Sequence, residues 1–243
     1  MPMDPRAASL MALKNWAQQR EIEPAKIARL VEGLSSSEVR GAPLQNPVMM
    51  CPGLEAKPWH DPQRHAFVAA LEQAFPAIRA ELLEQYGSLS THPESRMLAV
   101  RGKWDTFYFF NTGHRFVENQ ASCPNTTRAL AHVPGIEVAG MAYFSVMAPG
   151  TQVKPHCGFT NTRIRCHLGL VVPPACEMRV GSETRGWEEG RCIVFDDSFE
   201  HEVRNDSDRF RAVLLVDTWH PDLSEVERQA LTFLMSSWKA FLN

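Results

Sequence analysis

Between Trp104 and Trp219 the chain breaks into short runs rich in β-branched and aromatic residues, separated by turn residues. The runs are 104–111, 140–147, 161–172, 176–181, 191–196, 201–204 and 210–219, and no helical crossover lies between them after residue 140. Parallel strands need such crossovers, whereas antiparallel strands do not. The spacing therefore excludes a βαβ sheet and predicts an antiparallel barrel or jelly-roll sandwich.

The flanks read as helical. Asp4-Pro5 and Asp61-Pro62 each resemble an N-cap followed by proline at the first helical position. After the second, Phe67, Leu71, Phe75, Ile78 and Leu82 form an amphipathic stripe, which Pro76 is expected to kink or split. Residues 35–58, with their Gly, Pro and Ser, are expected to wander over the surface. At the other end Ser224 and Glu227 make a capping-box pattern, and Val226, Ala230, Leu234, Trp238 and Phe241/Leu242 outline a buried helical face. The expected organisation is a mostly helical portion (1–95), a β core (96–223) and a C-terminal helix (224–243).

Bulk properties narrow the partners. A formal net charge of −3 and the absence of a basic block leave no electrostatic footprint for nucleic acid. The longest aliphatic run, 212–216, is far too short to span a bilayer, and residues 1–20 lack the apolar stretch of a signal peptide. Six cysteines without a CxxC argue against a zinc ribbon and suggest free thiols in a reducing, cytoplasmic setting.

Two histidines stand out in the β region, His156 and His201. Non-haem iron(II) oxygenases combine two histidines with a carboxylate, commonly as His-x-Asp and a distant His. Here the Asp position is Gly158. Taken alone, each histidine reads more readily as structural or as surface than as a ligand. The strand around 163–170 strengthens the functional reading: Arg163, Arg165 and His167 share one face, and Ile164, Cys166, Leu168 and Leu170 share the other. Cationic groups about 7 Å apart on one face require anions or solvent. Ten residues after His201, Arg211 interrupts an apolar run, where a guanidinium must snorkel or meet a buried carboxylate. A dicarboxylic co-substrate clamped by Arg211 and chelated by iron would satisfy both demands.

The run from Ser145 to Leu170, which contains Lys154-Pro155-His156-Cys157-Gly158 and Arg163-Ile164-Arg165-Cys166-His167, resembles the signature of the aspartyl/asparaginyl β-hydroxylase family. So do Trp187-Glu188-Glu189-Gly190, the stretch Phe195-Asp196-Asp197-Ser198-Phe199-Glu200-His201, and Val216-Asp217-Thr218-Trp219-His220-Pro221. The resemblance covers residues 100–223. It implies a double-stranded β-helix and hydroxylation coupled to the oxidative decarboxylation of 2-oxoglutarate by Fe(II) and O2. It further implies His156 and His201 as the only protein ligands to iron, with Asp197 reaching metal-bound water. Ser145 and Arg211 would hold the distal carboxylate of 2-oxoglutarate, Arg165 and His167 the end that chelates iron, and Phe110 would stand beside it. Arg163 is the candidate for a substrate carboxylate. No tetratricopeptide-like repeat precedes residue 100, so the expected substrate is a small molecule, a short peptide or a carrier-bound amino acid, hydroxylated at the β-carbon of an aspartyl or asparaginyl group.

Two rival readings compete: a hydroxylase of lipids or natural products, and a non-catalytic cupin-type metal-binding module. A mere metal binder has no use for the set Ser145, Arg165, His167 and Arg211. His201-Glu202-Val203-Arg204-Asn205 lacks the second histidine of a zincin motif, and no GxSxG, P-loop or dinucleotide fingerprint occurs.

Overall fold

The computed structural model describes residues 4–35, 41–138 and 140–242, the side chains of 237–242 excepted. Its centre is a pair of antiparallel sheets. The major sheet runs in the order Trp59–His60, Cys192–Phe195, Arg163–Val171, Arg211–Trp219, Met141–Met147, Trp104–Asn111 and Ser90–Thr91, with His114–Arg115 also paired to Trp104–Asn111. The minor sheet runs Glu183–Arg185, Cys176–Val180, His201–Asn205, Gln152–His156 and Ala99–Arg101. This is the expected double-stranded β-helix, and the expected strands recur within a residue or two at either end. Gln152–His156, which interrupts its hydrophobic alternation with Lys154 and Pro155, is a strand the sequence pattern does not announce.

Alternation along the major sheet assigns its two faces. Ile164, Cys166, Leu168, Leu170, Ala212, Leu214 and Val216 pack into a core with Phe67, Leu71, Ile78 and Leu82 of the helix Ala66–Glu84. The opposite side chains, among them Val213, Met147 and Phe195, meet Val153, Met178, Val180 and Val203 of the minor sheet. Of these, Met147, Val153, Met178, Phe195 and Val203 also line the cavity described below.

Several local expectations change. Asp61 caps only a short 3₁₀ turn, Pro62–Arg64, by accepting from Gln63 N–H at 3.0 Å; the long helix begins at Ala66. That helix runs unbroken through Pro76, which is exposed, so the carbonyl it deprives of a donor can meet water. Residues 41–60 do not wander: Gln45, Met49, Met50, Cys51, Trp59 and His60 are all buried. The capping box forms as expected, with Ser224 N–H donating to Glu227 Oε2 at 2.8 Å and Glu227 N–H to Ser224 Oγ at 3.3 Å. It starts the helix Glu225–Leu242, in which Ala230, Leu231 and Leu234 are buried; the expected contacts of Trp238, Phe241 and Leu242 lie outside the described residues.

Candidate active site

His156 ends one strand of the minor sheet and His201 begins its neighbour, and the two are direct cross-strand partners. Their ring centroids lie 4.2 Å apart. Each ring is oriented in the same way: Nδ1 lies 2.9 Å from the carbonyl oxygen two residues earlier, Lys154 for His156 and Phe199 for His201. A carbonyl can only accept, so Nδ1 carries the proton and Nε2 presents a lone pair. Burial lowers the pKa of both, for His201 well below the ordinary value, which keeps the rings neutral. Two neutral imidazoles with fixed tautomers and ring centroids this close could hold a metal ion through Nε2.

At Gly158, where a carboxylate ligand would stand in a His-x-Asp motif, there is no room for one. A Cβ built there would fall 2.5 Å from Cγ of Asp197, and Gly158 N–H donates to Asp197 O at 2.6 Å. Asp197 therefore fills the space that a third ligand would take, with its carboxylate 3.0 Å from Arg165 Nη1. Burial pushes its pKa up against the pull of Arg165. Among the described residues no third His, Cys, Asp or Glu joins the two histidines in a metal-ligating group.

A cavity of about 410 Å³ opens from these histidines, and Ser145, Arg163, Arg165, His167, Asp197 and Arg211 all line it. Its size lies within the roughly 300–1,000 Å³ of small-molecule sites. Three of the lining groups leave hydrogen-bond donors unspent. Trp104 Nε1 donates to Ser145 Oγ at 3.0 Å, which leaves the serine proton for another acceptor. Trp187 Nε1 donates to His167 Nδ1 at 3.3 Å, so the neutral His167 carries its proton on Nε2, a buried atom without a partner. Burial, Arg211 and Arg165 together hold its pKa well below the usual range, so it remains neutral. Arg211 is 2% exposed, its Nε is also without a partner, and it stacks over Trp187 with 4.1 Å between Cζ and the ring centroid. Burial pushes its pKa down to about 10, and no carboxylate of the described residues pairs with it.

The other two arginines are differently placed. Arg165 Nε donates to Asp217 Oδ1 at 2.8 Å, Nη2 lies 3.4 Å from Oδ2, and Nη1 faces Asp197. Burial disfavours its charge, but Asp197 and Asp217 outweigh that and hold it protonated. Arg163 Nη1 approaches Asp217 Oδ2 at 3.6 Å. The anion demanded by this cationic face is thus supplied in part by the protein itself, through Asp217, which sits directly across from Arg165 on the next strand. Arg163 thus has a protein carboxylate nearby and also lines the cavity.

Phe110 is not brought to the cavity. A register irregularity between Tyr108 and Phe110 interrupts the alternation, so Phe109 and Phe110 both enter the core while Tyr108 and Asn111 line the cavity. The aromatic side chains lining the cavity include Trp104, Tyr108, Tyr143, Phe159 and Phe195, together with His92, whose ring stacks on Trp104 at 3.6 Å and 6°, while Trp187 reaches the site through His167. His92 and Trp104 gave no sign in the sequence beyond their place in or beside an apolar strand. Asp217 stands in an apolar run, and its pairing with Arg165 follows from strand register, which has no local sequence signal.

The sequence model of the family "Aspartyl/Asparaginyl beta-hydroxylase" matches residues 72–221, more than half of the chain. The chain belongs to that family. Human aspartate beta-hydroxylase domain-containing protein 2 is 40% identical over 206 residues, which is 79% of this chain and 56% of that protein. Human aspartyl/asparaginyl beta-hydroxylase is 39% identical over 188 residues, 74% of this chain and 25% of that protein. The mouse aspartate beta-hydroxylase domain-containing protein 1 is 35% identical over 256 aligned positions, covering 96% of this chain and 69% of that protein. The chain thus spans about half the length of the first relative and a quarter of the second. No helix among the described residues is long and apolar enough to cross a membrane.

Proposed function

We propose that the chain is an Fe(II)- and 2-oxoglutarate-dependent hydroxylase acting on an aspartyl, asparaginyl or related amino-acid group. The observation that carries the reading is Arg211: a buried cation with no carboxylate partner among the described residues, in the cavity that opens from two histidines able to bind metal. A buried charge is costly unless it is paired. A site that holds one open in this way is built for an anionic ligand.

The residues present fit both groups. His156 and His201 would hold iron through Nε2. Arg211 and Ser145 would bind the distal carboxylate of 2-oxoglutarate, the first through a planar fork and the second through its remaining proton. His167, with its unspent Nε2–H, would serve the end of the co-substrate nearer the metal. We assign Arg165 to that end through Asp197, because all three of its nitrogens already face carboxylate oxygens. Asp197 would orient water at the metal from the space above Gly158. When bound, iron(II) with O2 and 2-oxoglutarate supplies the oxidising power to insert one oxygen atom into a C–H bond, with release of succinate and CO2. The chain's own part is to hold both reactants and to present the substrate carbon. For the latter we assign Arg163, which lines the cavity wall with Nη1 3.6 Å from Asp217 Oδ2, to an acidic or amide side chain of the substrate.

The test is succinate formation from 2-oxoglutarate with Fe(II), measured with free aspartate, asparaginyl peptides and carrier-bound amino acids, alongside a mass search for products gaining one oxygen. Substrate-dependent succinate is expected, and its complete loss in His156→Ala and His201→Ala. Failure of the wild-type protein to bind metal or to consume 2-oxoglutarate would refute the assignment.

A further inference from the structure

Residues 44–51 cross both loops that carry the candidate metal ligands. One loop, 157–161, follows His156; the other, 196–200, precedes His201. On the second loop Glu200 N–H donates to Leu44 O at 2.7 Å, Asn46 N–H to Ser198 O at 3.2 Å, and Gln45 forms a β-bridge with Phe199. On the first, Met49 N–H donates to Phe159 O at 2.9 Å, and Cys51 exchanges two bonds with the Asn161 side chain, of 2.7 and 2.8 Å. The loops also touch each other, through Gly158 N–H and Asp197 O.

Gln45 is the most heavily used residue of this segment. It is 2% exposed, and its Nε2 donates to Asp196 Oδ2 at 3.1 Å and to Ser198 Oγ at 3.0 Å, while its Oε1 accepts from Ala42 N–H. Asp196 is fully buried, and among the described residues no cation pairs with it; Gln45 and Ser198 supply its donors. Removing the Gln45 amide would leave Oδ2 buried without a donor, so the 196–199 turn would have to shift to find one. Phe199, the residue bridged to Gln45, is the one whose carbonyl fixes Nδ1 of His201. A shift of that turn therefore rotates the His201 ring.

We propose that residues 44–51 are a strap that presets the relative position of His156 and His201 for metal, and that Gln45 is its positioning residue. The proposal rests on reading the two histidines as the metal site. Groups that orient metal ligands from behind typically change metal affinity by about 10–100-fold when removed.

The experiment titrates metal-free protein with Co(II), following the visible spectrum, and compares wild type with Gln45→Met, which keeps the length of the side chain but loses both donors. A Co(II) affinity at least ten-fold weaker is expected, with an altered spectrum and an unchanged KM for 2-oxoglutarate at saturating metal. Asn161→Asp, which keeps the acceptor for Cys51 N–H and loses the donor to Cys51 O, should weaken Co(II) binding from the other end. Wild-type Co(II) affinity in either folded variant, whatever its melting temperature, overturns the proposal. Hydrogen exchange on the wild type tests it without substitution: the amides of Asn46, Met49, Cys51 and Glu200 should be slow before metal is added. Free exchange that slows only on Co(II) addition would mean that the strap is not preset. If the wild type binds no Co(II) at all, the metal-site reading itself falls; normal wild-type binding with unaffected variants removes the strap alone.

Discussion

Replacing Arg211 should separate stability from co-substrate binding. Its pKa is pushed from 12.5 down to about 10, so the fold binds this proton less tightly than the unfolded chain does. At neutral pH the group is charged in both states, and the difference of about 2.5 powers of ten is a penalty to the folded state of about 3 kcal/mol. Contact with the Trp187 ring returns part of this. Arg211→Met removes the penalty while preserving much of the volume, so the ligand-free variant should be at least as stable as wild type. The same substitution deletes the partner of a buried carboxylate, an effect of about 3–5 kcal/mol. The apparent KM for 2-oxoglutarate should therefore rise by about two to nearly four orders of magnitude. Thermal unfolding of the ligand-free proteins and 2-oxoglutarate saturation curves measure the two effects. Arg211→Lys should recover little, because a point charge cannot reproduce the fork. An unchanged KM would refute the assignment. A strongly destabilised ligand-free variant would show that the arginine is a structural ion and not a vacant clamp.

Other outcomes follow from specific contacts. Gly158→Ala should cut turnover at least ten-fold, since its Cβ would lie 2.5 Å from Asp197 Cγ and displace that carboxylate; wild-type turnover would contradict this, and Gly158→Asp should fail to add a working ligand for the same reason. His60 is 7% exposed, its Nε2 has no partner, and burial with His220 and His65 nearby pushes its pKa down to about 4. Because the folded state refuses a proton that the unfolded chain accepts, stability should fall as pH drops from about 6.5 to about 4, and His60→Phe should flatten that limb by up to about 3 kcal/mol in denaturant titrations at both pH values. Glu81 is 6% exposed and accepts from the backbone and side chains of Asn125 and Thr126, with bonds of 2.6–2.9 Å, at the start of the helix Pro124–Leu130. Glu81→Ala should cost on the order of 3 kcal/mol, read as a lower urea midpoint at constant slope.

The strands of the core and the pairing of polar and apolar faces were determined by local pattern. Alternation places Arg165 and His167 opposite Cys166 and Leu168 whatever surrounds the strand, because the side-chain period of a strand is two. The isolated charge of Arg211 in an apolar run was equally plain. That no carboxylate of the described residues accompanies it, while Asp217 and Asp197 claim Arg165, depends on strand order and register, which bring Arg165 to partners 52 and 32 positions away. Phe110 was misplaced by a single irregularity that reverses the alternation, a feature without a residue signature. The strap at 44–51 reads as surface only because it lies within residues 35–58, whose Gly, Pro and Ser mark turns and whose apolar residues show no helical or strand period. Gln45, Met49, Met50 and Cys51 are nevertheless buried, in a segment tied by hydrogen bonds to partners more than 100 residues away, and such pairings leave no local pattern. Local periodicity could fix which side chains share a face; only closure of the two sheets could decide which of them meet, and which are left open for a ligand.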